Sequence, residues 1–87
     1  MNTITLNDGT VLEDANILDM NGSLCFFVRN GMTMAEVFGL FNDPEKTETI
    51  TVSQYGQEKA YEGYTDLTMI QKDNVQVSGI LMKPRGE

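Results

Sequence analysis

The stretch TITLNDG, Thr3–Gly9, alternates hydroxyl and aliphatic residues and then breaks into Asn, Asp and Gly. Alternation with period two marks a strand with one buried face, here Ile4 and Leu6. Asp-Gly accepts the left-handed backbone of a tight hairpin turn, so TVLEDA is expected to return as a second strand. The opening phrase is echoed at Thr49–Gly56, TITVSQYG, with Ile50 and Val52 on one face and Thr49 and Thr51 on the other. Aligning the two segments requires insertions in the second. Either two β-hairpins simply share a pattern, or an internal pseudo-repeat builds a small barrel or sandwich with a helix capping one opening.

Around these anchors the chain reads mostly as strand. ANILDM alternates loosely around Ile17 and Leu18, and Asn21-Gly22 marks a second hairpin turn. SLCFFVR follows as a nearly continuous apolar strand, expected to be central and covered on both faces. The texture then changes. Met34, Val37, Phe38 and Phe41 recur at helical spacing, and Thr33 with Glu36 forms a capping-box pattern, which places a helix over 33–42. Asn42 and Asp43-Pro44 should end it, because a residue before proline avoids the α region. Gly39 costs about 1 kcal/mol against alanine and would allow close packing on a sheet.

Strand texture resumes with TETITVSQ. EKAYEGY is expected to turn Ala60, and Tyr61 or Tyr64, inward, with a bulge at Gly63. TDLTMIQK would bury Leu67 and either Met69 or Ile70. Asp73-Asn74 reads as a turn. VQVSGILMK reads as a last strand that bends at Gly79 and stops at Pro84. The expectation is a mainly β (α+β) fold in the order β-β-β(β)-α-β-β-β. It has about six or seven short antiparallel strands in a small barrel or sandwich. One domain covers residues 1–87: a first β segment at 2–30, the helix, a second β segment at 47–83, and a frayed tail at 84–87.

Composition narrows function more than any motif does. The chain has 87 residues, 40% hydrophobic and 22% charged, which suits one globular core. Thirteen acids against six bases give a net charge of -7, which disfavours contact with nucleic-acid phosphates or anionic lipid. There is no histidine and only Cys25, so a thiol nucleophile has no imidazole base and a nitrogen–sulfur metal set has no ligands. The Asp19 segment DMNGS lacks the distal glutamate of a calcium loop. Glu13 and Asp14, as strand neighbours, point to opposite faces. NGS at Asn21 reads as a turn. No catalytic residue, metal ligand or cofactor site is therefore expected, and the chain reads as a non-enzymatic protein. The N-terminus lacks a secretory layout, and no apolar run reaches the ~18–20 residues of a membrane helix. The expectation is a cytoplasmic protein with no membrane and no direct nucleic-acid partner.

Interaction residues are the remaining candidates. Tyr61 and Tyr64 flank Glu62-Gly63, and tyrosine is enriched at interfaces. Met32 and Met34 lie at the helix start, where methionine offers an adaptable contact. Open sheet edges offer pairing with another protein or with a second copy in a homo-oligomer. An alternative is an acidic face gathering Asp8, Glu13, Asp14, Glu58 and Glu62, which would mimic nucleic acid and inhibit a host protein.

The segments TITLNDGT, MAEVFGLFND, ETITV and YEGY, in this order, resemble small uncharacterised proteins from phage and prophage structural-gene clusters of Gram-positive bacteria. The resemblance spans most of the chain. It implies a virion-associated or tail-associated accessory protein, acting in the bacterial host and in the phage particle, and it carries over no catalytic residue.

Overall fold

The computed structural model describes residues 2–72 and 76–84. The Asp73-Asn74 turn and the 85–87 part of the tail lie outside the described residues. Eight strands form two four-stranded antiparallel sheets. The strands are β1 (Thr3–Thr5), β2 (Val11–Glu13), β3 (Ala15–Asp19), β4 (Ser23–Val28), β5 (Thr49–Gln54), β6 (Gln57–Glu62), β7 (Asp66–Lys72) and β8 (Val77–Met82). Sheet I runs β2-β1-β5-β6 and sheet II runs β3-β4-β8-β7. Helices α1 (Met34–Phe41) and α2 (Pro44–Thr47) join the two halves of the chain. Among the described residues the arrangement is an open two-layer sandwich, with more strands than the six or seven expected and with no barrel closure.

The extra strand comes from a corner. TVLEDANILD does not run through as one extended segment, because Asp14 takes φ 54. Asp tolerates this left-handed backbone better than most residues. The chain turns there from sheet I into sheet II. Gly63, at φ 82, marks the same crossing between β6 and β7, and its N–H donates to the Glu48 carbonyl at 2.9 Å. The bulge expected at Gly63 falls in β7 instead, between Met69 and Gln71.

The echo therefore has a structural counterpart. Each half of the chain supplies one hairpin to sheet I and one to sheet II, and the two halves meet in the middle of both sheets. Thr5, the third residue of the first TIT, lies opposite Thr51, the third residue of the second. The strand order is that of an internal two-fold pseudo-repeat.

The core lies between the sheets. Ile4, Leu12, Ile50, Val52 and Tyr61 come from sheet I. Ala15, Ile17, Leu24, Phe26, Val28, Val77 and Leu81 come from sheet II, and α1 adds Val37 and Phe41. Phe26 is fully buried and stacks on Phe41 with ring centroids 4.1 Å apart and planes 8° from parallel. Its ring also lies over Gly79: a Cβ there would stand 2.6 Å from Phe26 Cζ. Gly79 thus gives clearance to an aromatic ring inside a continuous β8, where the sequence suggested a bend.

The helix follows the sequence closely, with Thr33 as N-cap, a complete capping box with Glu36, and Asn42 as C-cap. Its inward side is narrower than expected. Val37 and Phe41 are buried, Met34 is half-buried and Phe38 is 45% exposed. Gly39 faces open space and packs on nothing. Pro44 ends α1 but also begins α2 at a position where its missing N–H costs nothing, with the Asp43 side chain accepting from Glu45 N–H at 3.0 Å. The carbonyls of Glu45 and Lys46 then accept from the Asn7 side chain and backbone, which docks α2 on the β1–β2 turn.

The clearance at Gly79 is testable. Gly79→Ala should destabilise the fold by about 1–3 kcal/mol through overpacking, measured by urea denaturation. In a Phe26→Leu background the same substitution should cost clearly less, because the ring it meets is gone. The Tyr55–Gly56 turn of the β5–β6 hairpin gives a second test. Tyr55 is 79% exposed and held at φ 55. Tyr55→Asn should raise stability by about 0.5–1 kcal/mol, since Asn occupies this backbone region more readily.

Candidate functional site

Cross-strand partners share a face, so the sheet registers define two outer surfaces of different chemistry. On sheet I, Glu13, Thr3, Ser53 and Glu58 form one row across the strands. Val11, Thr5, Thr51 and Ala60 form the next, and Thr49 stands beside Glu62. This surface is a hydroxyl platform with carboxylates at both edges, and Lys83 borders it beside Glu62. Glu13 and Glu58 stand three strand spacings apart, roughly 14 Å.

On sheet II, the outer rows are Met20–Ser23–Met82–Asp66, Leu18–Cys25–Ile80–Thr68 and Asn16–Phe27–Ser78. Leu18 is 54% exposed, Met82 46% and Met20 45%. Ile70, in the β7 bulge at the rim, is 48% exposed. Phe27 and Ile80 are half-buried. Cys25 is buried but takes no part in the core cluster, and that burial pushes its thiol pKa up. The apolar run of β4 is thus central, as its sequence suggests. Only its inward side is covered by the other sheet and α1, and the outward side carries no second layer among the described residues.

The free sheet edges are less open than the sequence suggests. β2 has three residues, β6 carries Glu58, Lys59 and Glu62, and β7 is bulged. Such features discourage strand pairing. The β3 edge is occupied from within: the Gln54 side-chain amide accepts from Ile17 N–H at 3.0 Å and donates to Ile17 C=O at 2.9 Å. Ala15 N–H also reaches the Asn2 carbonyl at 3.2 Å. One glutamine thus takes the place of a neighbouring strand and ties the two sheets together.

The sequence candidates are dispersed by the fold. Tyr61 lies inward opposite Ile50 and is only 9% exposed, so its surface is spent in the core. Tyr64 is half-buried and meets Tyr61 edge to face at 6.0 Å, with Lys83 Nζ 5.2 Å from its ring centroid. Ala60, expected inside, is exposed, while Leu67 and Met69 pack inward and Ile70 does not. Met32 and Met34 pack half-buried against the core. Of the five acids, Glu13, Glu58 and Glu62 share the outer face of sheet I, while Asp8 sits in the β1–β2 turn and Asp14 at the sheet corner. Hydrogen bonding from Thr10 holds the Asp8 carboxyl below its ordinary pKa.

Beside Glu62 lies an open depression of about 530 Å³ lined by Glu48, Thr49, Glu62, Gly63 and Lys83. Among the described residues no three His, Cys, Asp or Glu side chains group as a metal site, and no helix is long and apolar enough to cross a membrane. No family model, curated protein or solved structure matches the chain. The outer face of sheet II is not legible in the sequence because its residues come from four strands. Its one local signal was the unbroken LCFFV run, which makes both sides of β4 apolar.

Gln54→Ala should expose both polar groups of Ile17 and destabilise the fold by about 1–2 kcal/mol. Hydrogen exchange at the Ile17 amide should accelerate more than at Ile4, which sits inside sheet I.

Proposed function

We propose that the protein is a non-enzymatic interaction module that presents the outer face of sheet II to a protein partner. The observation that carries this reading is the uncharged apolar centre of that face: Leu18, Cys25, Phe27, Ile80 and Met82 side by side, with several still open to solvent. Exposed contiguous apolar surface on a small acidic domain marks an interaction site. The resemblance of its TITLNDGT, MAEVFGLFND and YEGY segments to phage structural-cluster proteins favours a minor structural or tail-associated component. Such a protein is made in the bacterial cytoplasm and taken into the particle.

A second reading has one observation in its favour. Glu13, Glu58 and Glu62 share one outer face on sheet I, which suits an inhibitor that mimics nucleic acid. A basic nucleic-acid-binding protein would then bind it, weaken steeply with salt, and lose affinity to the Glu13→Gln, Glu58→Gln, Glu62→Gln variant.

The interaction-module reading is checked by the fluorescence of a hydrophobic dye. The folded wild type should enhance its emission, and Leu18→Lys should remove most of that enhancement while leaving the circular dichroism spectrum unchanged. Thr5→Lys, on the other sheet, should leave it intact. A wild type that leaves the dye dark argues against the apolar face as a binding surface.

A further inference from the structure

We propose that the partner of this face is a second copy of the chain, in a two-fold dimer with the two copies of sheet II stacked face to face. This rests on the interaction-module reading above and names its occupant.

Charge placement is the main argument. The chain carries a net charge of -7, so most approaches between two copies are repulsive. The outer face of sheet II has an uncharged centre, while Glu13, Glu58 and Glu62 lie on the outer face of sheet I. Stacked sheets are ~10 Å apart, so layers ordered I-II-II-I hold the two acidic faces ~30 Å apart. That is several times the ~8 Å screening length at physiological salt.

The ends of the face are also self-complementary. Asp66 lies in the row at one end, beside Met82. Arg29 continues β4 at the other end, where its N–H donates to the Asp14 carbonyl and its Nε donates to Gln76 Oε1 at 2.9 Å. Asp66 and Arg29 lie two strands apart, on β7 and beyond β4, so a two-fold axis across the strands and inclined toward that diagonal brings Asp66 of one copy toward Arg29 of the other. Each contact then occurs twice, as an isologous interface requires. The guanidinium has further donors beyond the one given to Gln76.

Area sets the strength. Four strands ~4.8 Å apart and six residues ~3.4 Å apart give a face of roughly 19 by 20 Å, or about 400 Å² in flat projection per copy. The total is below the ~1,200 Å² of stable specific interfaces. The dimer is therefore reversible, forming as concentration rises from the micromolar range toward the millimolar.

The experiment combines sedimentation equilibrium from about 5 µM to 1 mM with a spin-label distance. With Cys25→Ser and Thr51→Cys, each copy carries one label on the outer face of sheet I. The expected result is a reversible dimer with labels separated by about 30 Å or more. Leu18→Lys should weaken it at least about 100-fold, because every dimer carries the substitution twice. Arg29→Asp should weaken it, and Arg29→Asp combined with Asp66→Arg should restore it. A dimer untouched by Leu18→Lys, or one whose labels lie much closer together, overturns the proposal. A monomer at 1 mM also overturns it. If that monomer still lights the dye, the interaction-module reading stands with a different partner, and if the dye stays dark both fail.

Discussion

The sandwich depends on the placement of one side chain. Phe26 is fully buried at the centre of sheet II, lies over the bare backbone of Gly79 on the neighbouring strand, and stacks on Phe41 of α1. The ring therefore couples three elements that are far apart in the chain. β4 comes from the first half, β8 from the second, and α1 joins them. A side chain on residue 79 would push the ring away and open the seat of the helix. Close-packed interiors transmit such displacements rather than absorb them.

The second organising feature is the repeated route of the chain. A hairpin in sheet I, a left-handed corner and a hairpin in sheet II occur once in each half. Each half alone is four short strands with an uncovered apolar side, and two-stranded pieces are marginal in water. Only the meeting of β1 with β5 and of β4 with β8 builds sheets wide enough to enclose a core. Gln54 then ties β3 to the other sheet by satisfying both polar groups of Ile17. This closes the edge that would otherwise be the best template for another strand. The remaining edges are short, charged or bulged, so the outer sheet faces are the surfaces left to do work.

Those two faces differ because the strand sequences differ in their second register. In β1 and β5 the outward positions are Thr and Ser, which suit water. In β4 and β8 the outward positions include Cys25, Phe27, Ile80 and Met82, which do not. Glu13, Glu58 and Glu62 lie on the first face, and among the described residues no acid lies at the centre of the second. A charged chain with an uncharged apolar face has a preferred orientation for association, and this orientation connects the fold to the proposed function.

Local sequence pattern is enough to specify the strand character of the two TIT segments, the hairpin turns, and the helix with its Thr33–Glu36 cap. All of these follow from patterns a few residues long. It also determined that Ile4, Ile50 and Val52 point inward, because alternation is local. The rest depends on contacts between distant segments. Whether Tyr61 or Ala60 faced the core depended on the register with β5, where Tyr61 falls opposite Ile50. The corner at Asp14 came from the separation of the two sheets, and the role of Gly79 came from a ring about fifty residues away in the chain. The apolar face of sheet II became visible only once four strands were in order. Its members are neighbours through cross-strand pairing, and no window of sequence contains them together.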